Sequence, residues 1–160
     1  MKTHGASSLG FEARAWPRST IHDLPFTIYY PPMDIESIRA FCLSLPHADE
    51  KVQWGNDLLF RIGEKMFAVA ALEPSHGVAL SFKCTPEKFA ELVEQEGIIP
   101  APYMARHHWV GLERFNVLPE RELKPLLKHA YEMTRAKLPR KLQAQLDSAT
   151  AGKSSRKKRE

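Results

Sequence analysis

Cysteine is scarce in this 160-residue chain: Cys42 and Cys84 are the only two, and no CxxC pair occurs. That excludes a disulfide framework and a zinc ribbon, and it fits a reduced, cytoplasmic compartment. Long apolar runs are missing too, since none approaches the ~20 residues of a membrane span. Glu12, Arg14, Arg18, His22 and Asp23 interrupt the first 32 residues, so no secretion signal is expected. The chain lacks GxSxG, HExxH, P-loop and GxGxxG patterns, which leaves nucleophile, metal and nucleotide chemistry without their usual handles. No catalytic residue, cofactor or metal site is expected. What remains is 43% hydrophobic and 26% charged with a mean hydropathy of −0.37, the composition of one domain with a sizeable core.

The net charge of +4 is unevenly placed. Residues 1–32 carry +1 and residues 147–160 carry +3, so the stretch between them is neutral. Within that stretch, residues 120–146 hold seven basic side chains against three acidic ones, leaving 33–119 at −4. Basicity belongs to the last helix and the tail, and a positive surface over the whole fold is not implied.

Residues 1–32 mix Gly, Ser and Pro without a helical or strand period and read as an unstructured leader. Translation from Met33 is an alternative expectation; native peptides from 1–32 in mass spectra would exclude it. Asp34 then caps a helix carrying Ile35, Ile38, Cys42 and Leu45, which Pro46 ends. Lys51–Trp54, Leu58–Ile62, Met66–Leu72 and Val78–Lys83 read as strands joined by turn-type clusters, hence an antiparallel meander with the third strand central. Thr85-Pro86 opens a second helix that Gly97 closes. Residues 98–104 read as a Pro-punctuated loop, His107–Glu113 as a fifth strand, and Leu123, Leu127, Ala130, Tyr131 and Leu138 as the face of a last helix, with Pro125 disturbing its early turns and Pro139 stopping it. The order α-β-β-β-β-α-β-α predicts an α+β domain over 33–146, a sheet of about five strands with helices packed on it, followed by a disordered basic tail over 147–160.

These residues resemble a known family. Leu45-Pro46, Glu50, Trp54-Gly55, Leu59-Phe60-Arg61-Ile62, Gly63-Glu64-Lys65 and Phe67-Ala68 are similar to the MmcQ/YjbR family of small bacterial proteins. Leu80-Ser81-Phe82-Lys83, Thr85-Pro86-Glu87, Ile99-Pro100-Ala101-Pro102-Tyr103, His108-Trp109-Val110 and Ala130-Tyr131 continue the likeness through about residue 140. The resemblance implies a CyaY/frataxin-like, double-wing fold labelled DNA-binding; it brings no catalytic residue with it.

Two binding surfaces follow as expectations. For DNA, the phosphate contacts are Lys137, Arg140 and Lys141 at the helix end and Lys153, Arg156, Lys157, Lys158 and Arg159 in the tail, with Arg61 and Lys65 flanking a hairpin tip as a candidate wing and Lys83 nearby. Such contacts give affinity without base specificity. Alternatively Trp54, Tyr103, His107 and Trp109 line a pocket for a small planar ligand or a protein partner. Against that stands ordinary packing, because Trp54 and Trp109 lie in expected strands, where large aromatics serve the core. His107 and His108, adjacent in a strand, would point to opposite faces and could not chelate together. His47, His76 and His129 lack helical partners. Cys84 sits before a helix N-terminus, where a dipole favours thiolate, but no base is assignable to it.

Overall fold

The computed structural model describes residues 33–73 and 77–157, with side chains described through Ala151. The leader 1–32, together with Lys158 and Arg159, lies outside the described residues. The first helix, α1 (Ile35–Ser44), starts where the sequence places it: the Asp34 carboxylate accepts the Ser37 N–H at 2.8 Å, satisfying one of the unpaired donors of the first turn. Leu45 is already extended, as a residue before proline must be. The chain turns at His47 into β1 (Ala48–Gln53), β2 (Asp57–Ile62), β3 (Lys65–Ala71) and β4 (Leu80–Lys83), a meander of antiparallel neighbours. The Arg39 guanidinium clamps Glu50 through two hydrogen bonds of 2.7 and 2.5 Å, joining α1 to β1.

Thr85 caps α2 (Pro86–Leu92), its hydroxyl accepting the Lys88 N–H at 3.2 Å. This helix closes before the Gly97 boundary expected from sequence. Ile98–Pro100 then corrects the sequence reading: it is a short strand, β5, and the sheet has six strands in the order β1-β2-β3-β4-β6-β5. Proline is tolerated there because β5 is an edge, with no ladder demanded of its outer side. A 3₁₀ turn over Ala105–His107 precedes β6 (Trp109–Leu112). His107 is therefore not on a strand, and His108 has a left-handed backbone with φ 60°, so strand alternation does not govern this pair. Among the described residues no group of three His, Cys, Asp or Glu side chains is placed to hold a metal ion.

Helix α3 (Glu120–Ala136) runs unbroken through Pro125 and lies along the sheet. Its Tyr131 ring meets Phe67 edge-on, centroids 5.6 Å apart, and its hydroxyl donates to the Pro46 carbonyl at 2.6 Å. One contact thereby joins helix, sheet and the α1–β1 turn. The β2–β3 register passes from Phe60↔Ala68 to Arg61↔Met66, leaving Phe67 as a bulge residue. The bulge lets both Phe67 and Ala68 enter the main core with Phe60, Phe82, Leu123 and Leu127.

The tail differs from expectation. A further helix, α4 (Arg140–Lys157), follows Pro139 and continues past Asp147. Composition misses it because only Leu142 and Leu146 pack against the core, too sparse a stripe to register as amphipathic. Tertiary contacts order its first turns instead. The Gln143 amide donates to the Leu138 carbonyl at 2.7 Å, Arg135 pairs with Asp147, and His47 Nε2 lies 2.8 Å from the Thr150 hydroxyl. No helix among the described residues is long and apolar enough to cross a membrane.

Candidate functional site

Among the described residues, the helices that contact the sheet share one face, with the large core beneath them. The opposite face carries a small cluster of Leu59, Val69, Ala101 and Trp109. Functional candidates divide between a group of cations at the end of β4 and the α3–α4 junction (the basic corner) and a groove on the open face.

At the corner, the two-residue turn Gly63-Glu64 has φ of 54° and 67°, the left-handed pair that closes a tight hairpin. A Cβ at Gly63 would stand 2.9 Å from the ends of Leu138 and Leu142. The tip therefore packs beneath the α3–α4 junction, and the expected projecting wing is not free. Arg61 is also engaged, its guanidinium donating to both Asp49 oxygens at 2.9 and 3.0 Å. Two of the remaining cations approach one another. Lys83, at the end of β4, lies near Lys137 at the end of α3, and its pKa is lowered by burial first, then by the positive charge of Lys137. Arg140 and Lys141 open α4 beside that pair in sequence, and Lys65 follows the tip that contacts the same junction. Among the described residues none of these five cations has a carboxylate partner within ion-pair distance. Arg156 and Lys157 fall on α4, in the part whose side chains are not described.

On the open face, small residues Ala71, Ala79 and Ser81 leave a depression of about 560 Å³ walled by Met66, Val78 and Met104. Trp54 and Tyr103 stand on its rim, and Asp57 and Glu73 complete it. The structure thus joins two of the four expected pocket residues. Trp109 is buried beneath, in the small cluster, and His107 is exposed elsewhere, its Nε2 receiving a hydrogen bond from Arg106 at 3.2 Å. Trp54 corrects the packing expectation: it lies in the β1–β2 turn, not in a strand, and is 58% exposed. The floor of small residues and the two carboxylates were not singled out from sequence; the alternation of Ala79 and Ser81 with Leu80 and Phe82 was the available signal.

Both rim aromatics occupy the left-handed region, Trp54 at φ 54° and Tyr103 at φ 65°, which costs an L-residue about 1–2 kcal/mol. Tyr103→Gly should therefore raise unfolding free energy by up to about 1 kcal/mol, because Tyr103 has no packing to lose. Urea titration measures it, and a destabilisation would contradict the strained geometry.

The thiols are inert by environment. Burial pushes Cys42 up to about 12, and it pushes Cys84 up to about 11 against the opposing charge of Lys88, while the Cys84 Sγ–H donates to the His108 carbonyl at 3.2 Å. Both should resist a thiol-reactive disulfide reagent at pH 7.5 in the native protein and react fully in denaturant. Fast native labelling of Cys84 would overturn this.

A family model described as YjbR matches residues 43–133, more than half of the chain. The chain belongs to the YjbR family. The crystal structure of the Deinococcus radiodurans protein DR2400, of the DUF419 domain, is similar to this YjbR-family chain at 25% identity and a TM-score of 0.65, covering 74% of this chain and 92% of that one. A Pseudomonas syringae protein is similar at 19% identity and a TM-score of 0.55, covering 64% of this chain and 99% of that one; this second likeness concerns fold alone. No curated protein matches the chain. The YjbR match begins within α1 and ends in α3, so it spans the sheet, the groove and Lys83. Lys137, Arg140 and Lys141 lie beyond it.

Proposed function

We propose that this YjbR-family protein is a non-enzymatic, cytoplasmic DNA-binding protein that contacts the phosphate backbone through its basic corner and the end of α4. The observation that carries this reading is a group of cations at the end of β4 and the α3–α4 junction, Lys83, Lys137, Arg140 and Lys141, none of which has a carboxylate partner within ion-pair distance among the described residues. Like charges brought together in a partly buried place are costly unless an anion joins them, and a phosphate oxygen is an anion that a lysine pair can bridge. Arg140 and Lys141 extend the charge along α4 towards Lys153, Arg156, Lys157, Lys158 and Arg159. Two unpaired thiols agree with a reducing compartment.

Binding of this kind is electrostatic and sequence-independent, and its affinity falls with salt at a logarithmic slope of about −0.9 per neutralised phosphate. Fluorescence anisotropy of a labelled duplex against the full chain, from 50 to 300 mM salt, tests it. The expected result is a steep linear slope, shallower in a chain ending at Leu146. Absence of binding at low salt would overturn the reading, and an unchanged slope in the shortened chain would remove α4's end from it.

A further inference from the structure

The groove on the open face carries charge of the opposite sign to the basic corner. Among the described residues on its lining, the side chains with a strong charge at neutral pH are Asp57 and Glu73, and no lysine or arginine is among them. This matches the charge of the chain, whose −4 resides in 33–119 while its positive excess lies in the last helices. Glu73 is positioned by the Asn56 amide, which donates to its carboxylate at 3.0 Å. Asp57 is fixed as the first residue of β2, opposite Gln53.

The groove is also lined by two aromatic residues with no structural work of their own. Tyr103 is 99% exposed and Trp54 58% exposed, so neither contributes much to the core. Each is nevertheless held in a backbone conformation that disfavours it. Strained, exposed aromatics over an apolar depression suit a ligand that covers them. A ring face attracts a cation, most strongly one whose charge is diffuse and weakly hydrated.

We propose that this groove binds a small organic cation, an alkylated or quaternary ammonium with an apolar body, which lies on the Ala71 and Ala79 floor against the Met104 wall. Trp54 and Tyr103 face its charge, and Asp57 and Glu73 neutralise it. The volume of about 560 Å³ falls within the range of small-molecule sites.

The test is a titration of the full-length protein followed by NMR chemical shifts, with benzyltrimethylammonium as cation, N,N-dimethylbenzamide as its neutral comparator and benzenesulfonate as the anion. The cation should bind with a dissociation constant below about 1 mM and about tenfold or more tighter than the amide, with the anion weakest. Tyr103→Leu keeps apolar bulk but removes the π face, and should weaken the cation about fivefold while leaving the amide unaffected. The pair Asp57→Asn and Glu73→Gln should abolish most of the preference for charge. Thermal unfolding of each variant reports its fold, and Tyr103→Leu, at an exposed position, is the variant that must remain folded. Equal binding of the amide, preference for the anion, no binding of the cation, or an unaltered Tyr103→Leu titration would each overturn the proposal. None of these outcomes bears on the DNA reading, because the basic corner is unchanged throughout.

Discussion

Replacing Lys83, Lys137, Arg140 and Lys141 together by glutamine is expected to lower the affinity for duplex DNA by about 10³–10⁴-fold near 100 mM salt and to flatten the salt slope by about three to four units, roughly 0.9 for each cation. The magnitude follows from counterion release, in which each phosphate neutralised by a lysine or arginine contributes close to a power of ten in affinity per tenfold dilution of salt. Stability should move the other way. Burial and Lys137 hold the Lys83 pKa below its ordinary value, so the folded state binds that proton less readily than the unfolded chain does. Below the folded pKa this cost is fully present, and it disappears as pH rises past the ordinary lysine range, where both states are neutral. Removing the charge therefore relieves the folded protein throughout the neutral range. A variant with an equal or higher melting temperature and a large loss of DNA affinity separates function from folding. Unchanged affinity and slope would show that these four cations do not meet phosphate.

Phe67→Ala should cost about 3–5 kcal/mol, the range for truncating a buried phenylalanine, out of the ~5–15 kcal/mol that holds a domain of this size together. Phe67 is fully buried, and the β2–β3 bulge directs it into the core against Tyr131. The surrounding strands are fixed by ladder hydrogen bonds on both sides, so the space cannot easily collapse. Val52→Ala is the matched control: Val52 lies on the edge strand β1 and is 54% exposed, and its loss should stay within about 0.5 kcal/mol. Equilibrium urea unfolding distinguishes the two. A loss at Phe67 no larger than at Val52 would mean that α3 does not seat on the sheet through this ring.

Features that depend on neighbours in the chain were legible in the sequence. Asp34 and Thr85 mark helix starts because a cap needs only a side-chain oxygen three residues before the N–H it accepts. The β1–β4 meander was readable because short turns leave adjacent strands no other partner. Edges and ends were harder. β5 gains its strand geometry from β6, and α4 gains its helix from Leu142, Leu146 and the Arg135–Asp147 pair; both partners of each contact must already be placed before the segment has a preference.

The candidate sites followed the same division. Arg61 and Lys83 look alike as strand cations, but Asp49 occupies one and Lys137 meets the other. Trp54 and Trp109 look alike as strand aromatics, yet one stands at a groove rim and the other is buried in the small cluster of the open face. By itself the sequence determined the α+β class, the helix caps and the separation of acidic and basic segments, since composition, capping and alternation act over a few residues. Only the tertiary structure decided which cations lack partners and which aromatics stay exposed, because exposure and pairing are properties of what the rest of the chain brings alongside.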